Sequence, residues 1–356
     1  MGGAAIHAHT MSKLQAEMGH DVTVLSTDRG DRSLSRTDQR AGYTIQRSGE
    51  LFTLFGNSIA PTMLTMLRNK LSDYDIVHAH SHLSFMANIS ALVTRLDDTP
   101  FVITNHGIRS QTAPELVQDI YLPTLGMYTF NSADLVFTYS DVERDRLEKL
   151  GVSSDVSVIH NGVNCDKFAP RDINGGDSEL LFVGRLRETK GPHLLVEIID
   201  QLHSEFPELT LKIVGEGPMR EELAKDISKR GLLERIDLVG EVPNESMSEF
   251  YNEASAFVLP TSREGVPRTI LEAMACATPV VTTDLPQVEP VVRDGGLLIK
   301  RDAEAFATAI CELLESPMQR AEMGKRAREQ IRKNYSWEDT VRNTTQKYYE
   351  VLDNHV

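Results

Sequence analysis

Along the chain, short apolar runs alternate with stretches of helical length in which apolar residues recur every three or four positions. In the first half the strand candidates are residues 21–26 (DVTVLS), 44–47, 75–79 (DIVHA), 100–104 (PFVIT), 134–138 (DLVFT) and 156–160. Helical patterns lie near 5–18, 60–72, 83–96, 114–132 and 140–150. In the second half the strand candidates are 179–183 (ELLFV), 210–214 (TLKIV), 236–239, 256–259 and 279–282, with helical patterns near 190–205, 217–230, 245–254 and 267–276. Three helical stretches, 302–315, 317–333 and 336–352, close the chain. Strands apolar along their whole length, each followed by a crossover helix, specify parallel sheets covered on both faces. The same rhythm twice predicts two doubly wound α/β domains, whose ligands bind at the carboxyl ends of the strands.

The predicted boundary is the segment 160–170 (HNGVNCDKFAP), where Asn161-Gly162 is a turn signal, followed by the loose stretch 171–178. This gives domains 1–163 and 164–335, with 336–356 as a terminal helix. Met1-Gly2-Gly3 leads directly into a helical pattern, whereas a parallel doubly wound domain opens with a strand feeding such a glycine loop. The expectation is a first strand missing through a truncated start. A true N-terminus that tolerates the loss is the alternative.

Length and composition sharpen this picture. A chain of 356 residues suits two ordinary cores, and 40% hydrophobic with 25% charged residues is globular composition. No run of eighteen uncharged apolar residues is present, and residues 1–20 contain no apolar signal core. Cys165, Cys276 and Cys311 lack CxxC spacing, which points to a reducing compartment, with the cytoplasm as the expected location, and away from structural zinc. The net charge of −15 argues against nucleic acid as a partner, whose phosphates need a basic footprint. Arginine outnumbers lysine, so either a salt-adapted or a mildly acidic mesophilic enzyme fits. The apolar segment 51–71 (LFTLFGNSIAPTMLTMLRNKL) ends in Arg68 and Lys70 and is expected to be a helix packed on its own sheet. Peripheral docking on the inner face of a membrane is the alternative.

Four clusters carry candidate chemistry. In 264–273 (EGVPRTILEA), Glu264 and Glu272 stand eight positions apart, with Gly265, Val266, Arg268 and Thr269 between them. Pro267 is expected at the first helical position, so Glu264 lies in a loop at a strand's end and Glu272 about one turn into a helix. The helix N-terminus between them is an anion site suited to a diphosphate, and a carboxylate below it can accept from a ribose diol. In 183–191 (VGRLRETKG), Arg185 and Lys190 flank a loop after a strand, where two cations can neutralise charge on a departing nucleotide. Gly2 and Gly3 open the first helix and allow close approach to a ligand. His106, in the TNHG turn after PFVIT, is a candidate sugar or acceptor contact, against a structural role. His78, His80 and His82 alternate along DIVHAHSH and would share one strand face, but no acidic or cysteine ligand is in register, so no metal is expected.

Together these segments resemble the retaining glycosyltransferases called family 4, which have the GT-B architecture. The resemblance covers nearly the whole chain, through GGAAIHAHTMSKLQAEMGHDVTVLS, DIVHAHSH, TNHG, HNGVNCDKF, VGRLRETKG, KIVGEGP, LVGEVP and EGVPRTILEAMACATPVVTTD. It implies two Rossmann-like domains facing across a cleft, an acceptor-side first domain, a nucleotide-sugar-binding second domain, and a last helix that crosses back onto the first. It implies that Gly2 and Gly3 contact donor phosphate, that His106 lies near the donor sugar, and that Arg185 and Lys190 bind the diphosphate. Glu264 would face the sugar, Glu272 would bind ribose, and the backbone around Val239, Gly240 and Glu241 would contact the base. The missing first strand and Asn164, where aspartate is common, depart from the pattern.

The activity implied is retaining transfer of a sugar from a nucleotide-diphosphate sugar to a carbohydrate or lipid-linked hydroxyl, with no metal or other cofactor. No DxD motif sits in a strand-end loop, since Asp73-Tyr74-Asp75 precedes its strand. Double displacement wants two carboxyl groups about 5–5.5 Å apart, and only Glu264 is an obvious cleft acid. A sugar-nucleotide epimerase of the same fold, or a nucleotide-sugar-binding subunit without turnover, are the rival readings.

Overall fold

The computed structural model describes residues 3–110, 112–171 and 178–355. The chain forms two compact units, Met1–Asn161 with Trp337–Val356, and Gly162–Ser336. The first begins with α1 (Gly3–Glu17), β1 (Thr23–Thr27), β2 (Thr37–Arg40), β3 (Tyr43–Ser48), β4 (Phe52–Leu54) and β5 (Asn57–Ile59). It continues through α2 (Thr62–Arg68), β6 (Val77–His80), α3 (Phe85–Asp97), β7 (Phe101–Thr104), α4 (Glu115–Tyr121), α5 (Met127–Asn131), β8 (Leu135–Thr138), α6 (Asp141–Lys149) and β9 (Asp155–Val158). The second unit runs β10 (Glu179–Val183), α7 (Pro192–Leu202), β11 (Thr210–Val214), α8 (Arg220–Lys229), β12 (Ile236–Gly240), α9 (Met247–Glu253) and β13 (Ala256–Leu259). It ends with α10 (Arg268–Ala275), β14 (Val280–Thr283), α11 (Glu289–Val292), β15 (Gly296–Ile299), α12 (Ala303–Glu315) and α13 (Pro317–Asn334). The last helix, α14 (Trp337–Asn354), belongs to the first unit, where Trp337 and Val341 bury against Met11 of α1.

The second unit has one six-stranded sheet, ordered β12-β11-β10-β13-β14-β15 and parallel throughout. Its central strands β13 and β14 are buried at every position, as their unbroken apolar sequences require. The strand order reverses between β10 and β13, which places their carboxyl-end loops side by side.

In the first unit the parallel pairings fall in two sheets, β1-β3-β2, whose β2 runs antiparallel to β3, and the all-parallel β6-β7-β8-β9, where the alternation predicts one. Among the described residues no strand pairs with the remaining edge of β1 or of β6, so no hydrogen-bond ladder joins them. They are linked by side chains only: Leu25 of β1 and Val77 of β6 both pack on the cluster around Met63, Leu67 and Ile89. β7 and β8 are buried along their length, whereas every residue of β1 is half-buried.

Three local expectations need correction. Residues 52–59 form a hairpin of β4 and β5 and not part of a helix, and helix starts only at Thr62. The central residues of its two-residue turn, Phe55 (φ 47°) and Gly56 (φ 79°), both take positive φ, which the right-handed twist of a tight hairpin favours. The same device, Ala41 (φ 48°) and Gly42 (φ 88°), pairs β2 with β3, and β2 is absent from the sequence expectation because its TDQR has no apolar signal. β15 is also absent from the sequence expectation, since its GLLI opens on the second glycine of a pair that reads as loop.

Candidate functional site

In the second unit the loops after β10 and β13 are held together backbone to side chain. The Thr261 hydroxyl donates to the Thr189 carbonyl at 2.9 Å, and the Ser262 N–H donates to the same carbonyl at 2.8 Å. Arg301, after β15, donates to the Pro260 carbonyl at 3.0 Å and the Glu188 carbonyl at 3.1 Å. Gly191 caps α7 with φ +73°, and a Cβ there would lie 2.2 Å from the Pro260 carbonyl oxygen. Only glycine therefore lets the loops approach this closely. Gly215 makes a similar approach on the other side, where a Cβ would meet the Gly184 carbonyl oxygen at 2.0 Å.

This stitching brings Lys190 and Glu264 into an ion pair between the loops, with both side chains largely covered. Burial, and next the positive charge of Arg185, lower the Lys190 ammonium to about 8. The Glu264 carbonyl accepts from the Gln287 amide at 2.5 Å, which fixes the loop from a third side. Arg185 is exposed on the same loop as Lys190.

Pro267 is the cap of α10 and not its first helical residue: its backbone is extended (φ −68°, ψ 124°) and it offers no side-chain cap. The Ile270 N–H donates to the Pro267 carbonyl at 3.1 Å, and the N–H groups of Arg268 and Thr269 precede the first intrahelical bond, as helix geometry dictates. Arg268 opens α10, its Nη1 is buried with no partner among the described residues, and its Nη2 lies 3.6 Å from Glu272. Glu272 is 5% exposed and accepts from the Tyr251 hydroxyl at 2.9 Å. Burial raises its pKa, opposed by Arg268 and Tyr251. Gly265, Val266 and Thr269 are half-buried between these charges. Val239 is half-buried in β12, which ends at Gly240 with φ +86°, and Glu241 is exposed just beyond.

The first unit gathers a different group. His106 follows β7, and burial, with some help from the charge of His7, lowers its imidazole to about 3. The Tyr139 hydroxyl lies 3.0 Å from His106 Nδ1, and His106 Nε2 lies 3.2 Å from His80 Nδ1. His7 reaches the Asn161 side chain at 3.2 Å and packs against Trp337 in a tilted arrangement with ring centroids 5.1 Å apart. Both ring nitrogens of His106 are thus engaged inside this unit, so a sugar hydroxyl would compete with His80 or Tyr139. His78 bonds to Thr104 at 2.7 Å and to Tyr348, and burial lowers its pKa to about 3.

The shared face expected of His78, His80 and His82 is not formed. β6 ends at His80, and Ser81 takes φ 69°, which sends His82 into a separate packing against Phe130 at 4.4 Å. Among the described residues, no three of these histidines bring ring nitrogens within 4.8 Å of one another. Of the glycine pair, Gly3 is the first residue of α1 and Gly2 lies outside the described residues.

The sequence profile of the family described as "Glyco_transf_4: Glycosyltransferase Family 4" matches residues 1–167, and that of "Glycosyl transferases group 1" matches residues 165–330. The chain belongs to the family 4, group 1 glycosyltransferases. This glycosyltransferase is 27% identical over 380 residues to glycogen synthase of Mycobacterium tuberculosis, covering 98% of this chain and 91% of that one. It is 25% identical over 385 residues to D-inositol 3-phosphate glycosyltransferase of Kribbella flavida, covering 98% and 90%. Its fold is the GT-B fold of Anabaena HepE, solved in complex with UDP, with TM-score 0.81 and 18% identity over 98% of this chain and 96% of that one.

The structure brings together Arg185, Lys190, Glu264, Gly265, Val266, Arg268, Thr269 and Glu272 in one unit of the glycosyltransferase, and places His106 in the other. Sequence reasoning missed Tyr251, Gln287 and Arg301, which lie on other elements, 21 to 113 residues from the partners they hold, as it missed Tyr139 beside His106. No spacing rule marks them.

Proposed function

We propose that this glycosyltransferase transfers a sugar, with retention of anomeric configuration, from a nucleoside-diphosphate sugar to an acceptor hydroxyl, and that it needs no metal ion. The observation that carries this is the Lys190–Glu264 pair beside the N-terminal end of α10, where Arg268 keeps a buried donor that has no partner among the described residues. Two cations and a helix N-terminus at the carboxyl ends of adjacent strands make an anion-binding place rigid before the ligand arrives. The UDP in the solved structure of HepE is a ligand of the kind such a place would hold. The names of both curated relatives carry sugar chemistry.

In this reading Arg185, Lys190 and the α10 amides hold the diphosphate, and Glu272 holds the ribose. The backbone at Val239 and Glu241 faces the base, Glu264 faces the sugar, and His106 contacts the sugar or acceptor. The bond from the anomeric carbon to the phosphate oxygen breaks while the bond to the acceptor oxygen forms on the same face. The departing phosphate oxygen takes the acceptor proton, and Lys190 offsets the charge left on it. The Lys190–Glu264 contact gives each group a partner until the diphosphate supplies another.

The test is incubation of the purified chain with labelled UDP- and GDP-sugars and a panel of acceptor alcohols, in buffer containing EDTA, with the product anomer read by NMR. Transfer with the donor's anomeric configuration is expected. An isomerised donor without transfer would assign the site to epimerisation, and inverted product would remove the retaining assignment.

A further inference from the structure

Five segments of the first unit bring polar side chains to the carboxyl ends of β6, β7 and β8. His80 ends β6, His106 lies in the turn after β7, Tyr139 follows β8, His7 comes from α1 and Asn161 lies beyond β9. His7 and Asn161 are 4% and 6% exposed, whereas His80, His106 and Tyr139 are half-buried and reach solvent. The inner members are thus covered and the outer members open, at strand ends where parallel sheets present ligand sites. Trp337 and His106 pack on the His7 ring with centroids 5.1 and 5.3 Å away, which fixes its rotation. The His160 ring lies 3.0 Å from the Tyr139 carbonyl, so backbone also ties the segment of Asn161 to that of Tyr139.

The contacts have a direction, and the innermost group sets it. A neutral imidazole has one N–H and one lone pair, and a carboxamide oxygen only accepts. His7 Nδ1 lies 3.2 Å from Asn161 Oδ1, so Nδ1 carries a proton whatever the state of Nε2. That nitrogen has no lone pair for the Tyr139 hydroxyl, 3.4 Å away. Of the two ring nitrogens beside it, the Tyr139 hydroxyl therefore donates to His106 Nδ1, at 3.0 Å. Burial keeps His80 and His106 neutral, so each holds a single ring proton. With Nδ1 accepting, the His106 proton stands on Nε2 and is donated to His80 Nδ1 at 3.2 Å. The opposite order would leave a lone pair on His106 Nε2 and make it a base.

We propose that Asn161, acting through His7 and Tyr139, fixes His106 as the Nε2–H tautomer, so that this nitrogen donates to an oxygen of the bound sugar or acceptor in place of His80. Asn161, His7 and Tyr139 are then positioning residues, three contacts removed from the ligand at the furthest. The sugar contact of His106 rests on the sugar-transfer reading, whereas the tautomer does not. A donor at this place also agrees with a reaction in which the departing phosphate oxygen, and not a histidine, takes the acceptor proton.

Long-range proton–nitrogen NMR of the full chain labelled at histidine, without donor, reads the tautomer of each ring, with His106 assigned by the signals lost in His106→Gln. The wild type should show Nε2–H at His106. Asn161→Leu removes the acceptor and lets His7 Nδ1 accept from Tyr139, so His106 should move to Nδ1–H. Asn161→Asp, which also only accepts, should restore the wild-type pattern. Tyr139→Phe keeps the ring and should show both tautomers at His106, which decides the matter should Asn161→Leu unfold. In Asn161→Leu and Tyr139→Phe, kcat/KM for transfer should fall about tenfold, the loss of one ordinary hydrogen bond, while stabilisation by UDP, placed in the second unit, should be unchanged. Nδ1–H at His106 in the wild type would overturn the proposal. So would a tautomer that neither Asn161→Leu nor Tyr139→Phe alters. The spectra need no turnover, so a wild type that transfers no sugar would strike the sugar-transfer reading and leave the tautomer decided.

Discussion

The two units share a plan of parallel strands and crossover helices but apply it with different rigidity. In the second, one six-stranded sheet is covered on both faces, and the loops at its carboxyl ends are joined by Thr261, Ser262 and Arg301 to backbone carbonyls. In the first, the strands divide into three sheets, β1 is half-buried throughout, and the interior holds imidazoles bonded to one another and to hydroxyl groups. The contrast teaches where each unit can tolerate change. A loop fixed by backbone contacts presents charge at defined positions, whereas a network of neutral histidines depends on staying uncharged.

The largest expected effect breaks the first unit alone. His78 and His106 have pKa values lowered to about 3 and His82 to about 4, with His80 also well below its ordinary range, all chiefly through burial. The folded state binds protons at these rings less readily than the unfolded chain. Their contribution is therefore complete above about pH 6.5 and is lost as the pH falls towards 3–4, at up to about 1.4 kcal/mol per pH unit for each ring. Trp337 is the single tryptophan and packs against His7 in this unit, so its fluorescence follows this loss directly. A fluorescence midpoint at higher pH than the bulk circular-dichroism transition is expected, and coincident midpoints would erase the distinction between the units.

Next in size is Lys190→Ala, which should lower kcat by about 10²–10³-fold, the usual cost of removing one group that stabilises developing charge. Steady-state kinetics with a saturating donor reads this, and an unchanged kcat would dismiss Lys190 from the transition state. Two glycines then compare the units in stability. Gly191→Ala places its Cβ against the Pro260 carbonyl and should cost about 3 kcal/mol by denaturant titration. Gly151→Ala, also at positive φ (+90°) but with nothing within 4 Å, should cost only about 1 kcal/mol. Smallest in catalysis, Glu272→Ala should raise the donor KM about tenfold with kcat nearly kept, because a ribose contact holds ground state and transition state alike. A fall in kcat without a change in KM would place Glu272 at the reacting bond instead.

Much of the fold was legible because burial on both faces writes itself into strands such as FVIT, LVFT and AFVL, which match β7, β8 and β13. The apolar residues of the hairpin at 52–59 suit either period, so the sequence pattern alone places them in a helical stretch. The deciding feature is backbone, positive φ at Phe55 and Gly56. Of the site, the residues close in sequence, from Glu264 to Glu272 and from Arg185 to Lys190, could be found by their place at strand ends. Their supports could not, because Tyr251 and Arg301 meet them only through folding.

By itself the sequence determined the alternation of strand and helix, the two-domain count and the charged loops, since each depends on local period, turn chemistry or residue type. Tertiary structure alone decided that Lys190 pairs with Glu264, that Glu272 is held by Tyr251, that His82 leaves the company of His80, and that Leu51 to Phe55 face outward beside three arginines. These are contacts between segments far apart along the chain, and such contacts are fixed by packing, to which no local pattern has access.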